Sequence, residues 1–297
     1  MTYTFQTYSH SQKEFQEICD LLNETYLQDH RPRNWRLALI ENWNMASRFL
    51  EPREYFIDRV RLWRDPDDRL AGFVIKGIKL VHPQTRSNDP ALLGEILAWV
   101  VEHWASPDRT TSVMAYDWDT RRQVVLLQNG YEPVRVIEEV RIYDLNEAYP
   151  EPYLPEGFRF SSVADERNPQ ARVALENAIW EAQLDEAWYR GKSSSPHYFP
   201  NLDLLVISPE GQSAAAALVW PYPETGAGEI DPLGTHPDFR RLGLARAIVL
   251  HSFKQMQALG LHLAYIASDV ENQVVNTLYD SLNPAEVYQG ILWSKVI

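Results

Sequence analysis

The run HPDFRRLGLARAIVL, residues 236–250, joins a polar turn to an apolar helical stretch and places Arg240, Gly243 and Ala245 in the spacing Arg-x-x-Gly-x-Ala. A helix begins with the positive end of its dipole, so Arg240 and Arg241 at the predicted start suit that end only if an anion sits there. Gly243 lacks a Cβ and lets a ligand approach the backbone, and the small Ala245 avoids crowding the same turn. Amides of a first helical turn have no intrahelical acceptor and supply donors for the same anion. The combination suits a pyrophosphate. The plainer alternative is two solvated arginines ahead of an ordinary surface helix. The nucleotide-binding spacing GxxxxGK[ST] is absent, and Gly226-Ala227-Gly228 does not extend to GxGxxG.

The elements around this loop follow from local patterns. A strand is predicted at about 157–163, then two helical stretches within 169–190. LDLLVIS, PEGQ and SAAAALVWPY read as a hairpin, two apolar runs around a Pro/Gly turn. GEIDPLGT is a further strand, interrupted at Pro232, where a proline implies a bulge or a missing ladder bond. The helix after Gly243, the strand HLAYIAS, the helix ENQVVNTLYDSL and the strand VYQGILWSKVI complete the order β-α-α-β-β-β-α-β-α-β. This predicts an α/β fold with a mixed sheet rather than a Rossmann alternation.

NEAYPEPYLPEG, residues 146–157, reads as a linker, because X-Pro steps favour extended chain. It divides the sequence into 1–150 and 151–297. The two parts share a pattern: GFVIKGIKLVHP precedes LLGEILAWVVEHW, as AGEIDPLGTHP precedes GLARAIVLHSFKQM. His82-Pro83 and His236-Pro237 stand 154 residues apart, and VVLLQNGYEP parallels TLYDSLNPAE at nearly the same offset. A tandem duplication accounts for both.

Composition narrows the class. The 297 residues suffice for two domains, and a 45% hydrophobic fraction with ten tryptophans supports packed cores. The formal charge is −13, distributed as −5 up to Pro150 and −8 after it, which does not fit a nucleic-acid binder. Cys19 is the only cysteine, so no internal disulfide is expected and a reducing, cytoplasmic location fits. The N-terminal residues lack the basic-then-apolar pattern of a signal peptide. No apolar run approaches the ~20 residues that a membrane span needs, so no membrane partner is expected. The eight histidines show no metal-ligand spacing, and no metal is expected.

With Arg240, Gly243 and Ala245 between a strand and a helix, residues 155–297 resemble the GNAT superfamily of acetyl-CoA-dependent N-acyltransferases. That family's signature there is Gln or Arg, two residues, Gly, one residue, then Gly or Ala. A second motif agrees: Asn272 stands seven residues before Tyr279, like the family's Asn-to-Leu-Tyr pattern. The resemblance implies a tandem of GNAT-like domains, each a mixed, mostly antiparallel sheet flanked by helices, with acetyl-CoA as co-substrate of the second. It implies that Arg240, Arg241 and the amides of Leu242, Gly243, Leu244, Ala245 and Arg246 hold the coenzyme pyrophosphate. It further implies a pantetheine arm beside the backbone of Leu233, Gly234 and Thr235, with Asn272 also among the coenzyme positions. The chain departs from the family at Asn283-Pro284, where Gly-Phe is usual. Asn tolerates the left-handed turn that glycine serves, so the helix stop is expected to survive.

Acyl transfer from a thioester to an amine needs a neutral amine, a stabilised carbonyl oxygen and a proton for the thiolate. The resemblance assigns the base to Glu229, eleven residues before Arg240, with Asp231 on the same strand face as its substitute or assistant. An amide of the splayed strand would polarise the carbonyl. Tyr279 would protonate the leaving thiolate. At the offset of 154, Asp89 stands where Gly243 does and would repel pyrophosphate, while its Cβ would crowd the loop. The first part is therefore expected to wall the substrate or stabilise the pair. Trp180, Trp188, Trp220 and Tyr222 are candidate linings for an acceptor pocket. The expected activity is N-acetylation of a primary amine on a small molecule or peptide. The competing reading is an acyl-CoA-binding sensor without turnover.

Overall fold

The computed structural model describes residues 2–33, 35–36, 38–42, 59–77, 79–86, 89–106 and 109–297. The first part of the chain supplies β1 (Thr4–Thr7), β2 (Val60–Arg64), β3 (Leu70–Lys76), β4 (Val81–Thr85), β5 (Thr110–Tyr116) and β6 (Glu132–Asp144). The second supplies β7 (Arg159–Ser162), β8 (Asp203–Ile207), β9 (Ser213–Tyr222), β10 (Ala227–Thr235), β11 (Leu263–Asp269) and β12 (Glu286–Val296). These twelve strands form one sheet in the order β1-β2-β3-β4-β5-β12-β6-β11-β10-β9-β8-β7. Only β4–β5 and β10–β11 pair in parallel; the other neighbours are antiparallel.

The order is symmetric about its centre, with each strand of the first part matched by the strand six later. The last strand of each part crosses over: β12 lies against β5, β6 lies against β11, and β6 and β12 pair at the middle. Neither part completes its own sheet. The cores are shared as well. Tyr143 and Leu145 bury into the core of the second part, and Leu218, Trp220 and Tyr222 into that of the first. The connecting residues 145–158 contain no helix or strand, where the prolines put the linker.

Helices flank the sheet: α1 (Gln12–Asp29), α2 (Pro90–Trp104), α3 (Thr120–Gln128), α4 (Val163–Glu166), α5 (Pro169–Trp180), α6 (Glu186–Ser193), α7 (Leu244–Ala258) and α8 (Gln273–Asp280). The sequence pattern leaves out the short α4 and two single turns of 3-10 helix, Pro223–Thr225 and Pro237–Phe239; the mixed sheet and element order otherwise agree. α2 and α7 are both fifteen residues long and begin 154 positions apart, at the offset of the His-Pro repeat. α7 packs Ile248, Val249, Phe253 and Met256 against β8–β11, which fixes where its N-terminus points. No described helix is long and apolar enough to cross a membrane.

Candidate active site

β10 organises the site. It pairs with β11 only at Ala227, Gly228 and Glu229, then continues against β9 alone, with a register shift between Ile230 and Leu233. The proline at 232 thus stands in the irregularity that the sequence predicts, and a gap opens between β10 and β11 just beyond Glu229. His236 donates its backbone N–H to Ala214 O, 2.9 Å, making 236 and 214 a hydrogen-bonded pair. By the alternation of an antiparallel ladder, Gly234 also bonds to β9, while the peptide groups of Leu233 and Thr235 face the gap. Gly234 therefore differs from the expectation of three consecutive backbone contacts. Its missing Cβ instead lets the strand lie against Ile179 of α5, which a side chain there would overlap.

The loop before α7 refines a second expectation. The helix starts at Leu244, so Arg240 and Arg241 precede it rather than forming its first turn. Both are exposed, and Arg241 and Gly243 have positive φ, 67° and 78°. No side chain caps the helix, and its first internal hydrogen bond runs from Ala247 N–H to Gly243 O. The amides of Leu244, Ala245 and Arg246 are left without helical acceptors. Leu242 is exposed in the same loop, whereas the Arg246 guanidinium is engaged by Ser281, 2.6 Å. A Cβ on Gly243 would meet nothing within 4 Å, so the crowding expected of a side chain there is absent; the left-handed backbone is what favours glycine.

The matching helix α2 is closed at the same point. Asp89 caps it, accepting from the amides of Ala91 and Leu92, and its other oxygen takes a hydrogen bond from Tyr3, 2.7 Å. One helix N-terminus carries its own carboxylate; the other offers free amides.

Glu229 is 1% exposed. Its Oε1 accepts from Arg36 Nε, while Oε2 is buried without a partner among the described residues. Burial raises its pKa, the Arg36 guanidinium opposes that, and Asp231 adds to it, leaving the carboxyl at about 7. Arg36 also donates to Tyr116 Oη, 3.0 Å, and to Glu138 Oε1, 3.1 Å. Asp231 accepts from Asn42, 3.2 Å, and is likewise raised by burial.

Tyr279 is 4% exposed on α8, with Arg141 5.9 Å from its ring centre. Burial first, and the Asp231 carboxylate second, push its phenol above the usual range, so it stays protonated near neutrality. Asn272 is the N-cap of α8, its side chain accepting from Val275 N–H, and so fixes the helix that carries Tyr279. Asn283 adopts φ 53°, the left-handed stop that replaces glycine.

Of the aromatic candidates, Tyr222 lines a cavity with Glu229, and Trp180 and Trp188 line a second with Asp231. Trp220 is core, 1% exposed, with its indole N–H on Asp231 O at 2.6 Å. Sequence reasoning does not single out Arg36, Tyr116 or Glu138, all from the first part of the chain. A buried arginine next to a buried acid leaves no local pattern when the two are 193 positions apart. Among the described residues no group of histidine, cysteine and carboxylate side chains could hold a metal ion.

Comparison with known proteins decides the family. Residues 161–283 match the model of the acetyltransferase (GNAT) family. Residues 161–283 thus carry a GNAT domain. The chain is 25% identical over 162 residues to a mycothiol acetyltransferase of Paenarthrobacter aurescens, covering 52% of this chain and 50% of that protein. It is 26% identical over 176 residues to the mycothiol acetyltransferase of Pseudarthrobacter chlorophenolicus, 56% of this chain and 54% of that one. The chain thus spans about half the length of the curated relatives it matches. The fold resembles a GCN5-related N-acetyltransferase from Sphaerobacter thermophilus, with TM-score 0.62, 18% identity and 99% and 95% of the two chains covered. It also resembles a tandem GNAT protein from the clavulanic acid biosynthesis pathway, with TM-score 0.61, 14% identity and 99% and 98% covered. The whole chain thus shares the fold of these proteins, one of them a tandem GNAT protein, with a mixed and mostly antiparallel sheet flanked by helices.

Proposed function

We propose that the chain divides into a GNAT-like half, 1–150, that has lost coenzyme binding, and a catalytic half, 151–297, that transfers acetyl from acetyl-CoA to a primary amine. One observation carries this reading: Glu229, with a buried free oxygen and a pKa of about 7, stands where β10 and β11 part. The free amides from Leu244 to Arg246, with Arg240 and Arg241, hold the pyrophosphate. The peptide groups of Leu233 and Thr235 hold the pantetheine arm in the gap and direct the thioester toward Glu229. Asn272 acts through α8, which it caps.

The chemistry balances over this chain's own groups. Glu229 takes one proton from the substrate ammonium, and the freed nitrogen attacks the thioester carbonyl, whose oxygen a strand amide stabilises. The C–S bond breaks as the C–N bond forms, and Tyr279 gives its proton to the thiolate. The amide nitrogen sheds its second proton and the phenol is restored from solvent. Glu229 is favoured over Asp231 because it stands at the last β10–β11 pair, where the gap opens, with one buried oxygen unbonded.

The test is release of free thiol from acetyl-CoA across a panel of primary amines, with the acetylated amine detected by mass spectrometry. Turnover that Glu229→Gln lowers by about 10²–10⁴-fold supports the reading. Tight acetyl-CoA binding without turnover on any amine assigns the chain to the sensor class.

A further inference from the structure

The cavity at Glu229 is built by both halves of the chain and carries a specific polar pattern. Three buried side-chain atoms with no hydrogen-bond partner among the described residues belong to residues that line it: Glu229 Oε2, Tyr222 Oη and Asn23 Oδ1. Asn23 comes from α1 and Tyr222 from the end of β9, so the group that satisfies them bridges the halves. A buried polar group without a partner is costly, so three around one cavity point to something that supplies the missing bonds. Two of the three, the carboxylate and the carboxamide oxygen, are acceptors, and the hydroxyl accepts as readily as it donates. The complement is a donor with several protons. An ammonium group has three; Arg36 also lines the cavity, but its single charge is shared by Glu229 and Glu138, which leaves a net negative charge to select a cation.

The rest of the wall is of another kind. Leu22, Tyr26, Pro32 and Trp35 make most of the side formed by the first half, and the Arg36 guanidinium there is already held by Glu229, Tyr116 and Glu138. The Tyr26 hydroxyl is already engaged by Tyr265, 2.5 Å, leaving its ring as the contact surface. Trp35 is 8% exposed. The Thr225 and Tyr265 hydroxyls in the wall are likewise engaged, by Tyr222 O and Tyr26, so hydroxyl groups on a ligand body would find little to bond, and the rings favour an apolar or aromatic body and add cation–π attraction for its charged end.

We infer that the acceptor is a compact primary amine on an apolar or aromatic body, its ammonium held by Glu229, Asn23 and Tyr222 across the two halves. This rests on the reading of Glu229 as the base, and it makes α1 of the non-catalytic half the specificity element. Asn23 touches the acceptor nitrogen and takes no proton; its loss raises KM and changes kcat little.

The probes are 2-phenylethylamine and D-glucosamine, a primary amine of similar size carrying hydroxyl groups. Each is titrated by calorimetry into the full chain without acetyl-CoA at pH 7.5, then assayed for thiol release with it. 2-Phenylethylamine is expected to bind at least about 100-fold more tightly than glucosamine, because unpaired hydroxyls exclude the latter. Asn23→Leu is expected to weaken that binding at least about 10-fold. Asn23→Asp, which adds charge without changing shape, is expected to tighten it and covers the case in which the leucine variant does not fold. Equal or tighter binding of glucosamine, or unchanged affinity in both Asn23 variants, overturns the inference. Binding as expected but no thiol release with either amine leaves this cavity assignment standing and overturns acetyl transfer. Thiol release with glucosamine alone does the reverse.

Discussion

Glu229→Gln tests the poise of the buried carboxyl before any acceptor is known. The native acid binds its proton at about 7, against an ordinary carboxyl value of 4.5. Because the folded pKa is the higher one, the group contributes stability that is fully present below 4.5 and is lost as pH rises through about 7. From pH 5 to pH 8 this loss amounts to about 2.5 kcal/mol. Glutamine keeps the shape and cannot ionise, so the variant lacks the loss. Urea unfolding of both proteins at pH 5 and pH 8 gives the double difference, in which the pH effects of groups not coupled to Glu229 cancel. The variant should gain roughly 2–3 kcal/mol on the wild type over that interval, whatever the cost of weakening the contact with Arg36. A double difference near zero would mean that Glu229 titrates as an ordinary carboxylate. A difference of opposite sign would mean that Arg36 outweighs burial.

Three further outcomes follow from the geometry. Arg36→Met removes the one large influence that lowers the Glu229 pKa. The midpoint of the pH–rate profile should therefore move alkaline by about one pH unit or more, which a merely structural role would not produce. Gly243→Asp should place a carboxylate over the free amides of α7, as Asp89 does over α2, and leave the fold intact. Acetyl-CoA binding should weaken by more than about 100-fold in that variant, and the wild type should bind one acetyl-CoA per chain by calorimetry; two equivalent sites would contradict this. Asn283→Val puts a β-branched residue on a left-handed backbone, φ 53°. It should cost about 1–2 kcal/mol in urea unfolding, whereas Asn283→Gly should be nearly neutral.

The features legible in the sequence are local. The Arg240-to-Ala245 spacing, the Pro232 interruption, the Asn283 stop and the 154-residue offset each lie within one element or between two copies of it. The structure places α2 and α7, and Asp89 and Gly243, at that offset. The features that escape the sequence are long-range. The exchange of β6 and β12 brings together residues such as Glu139 and Gln289, 150 positions apart, and either strand alone reads as an ordinary apolar alternation. Arg36 lies outside any described helix or strand, with no periodicity to mark it. Trp220 reads as a pocket aromatic because composition does not reveal which face of a fully buried strand is a wall and which is core. Gly234 groups with its neighbours in the sequence, which does not say which peptide groups β9 will claim.

In the proposed mechanism the second half moves an acetyl group with Tyr279 as its proton donor. The most direct measurement compares wild type and Tyr279→Phe, with acetyl-CoA affinity by calorimetry and thiol release with whichever amine the panel identifies. The phenylalanine keeps the buried ring and removes only the hydroxyl and its proton. Turnover lower by about 10²–10⁴-fold with acetyl-CoA affinity unchanged is the predicted result. Turnover equal to wild type would return Tyr279 to the hydrophobic core, and parallel loss of binding and rate would make it a positioning residue; either outcome contradicts the account.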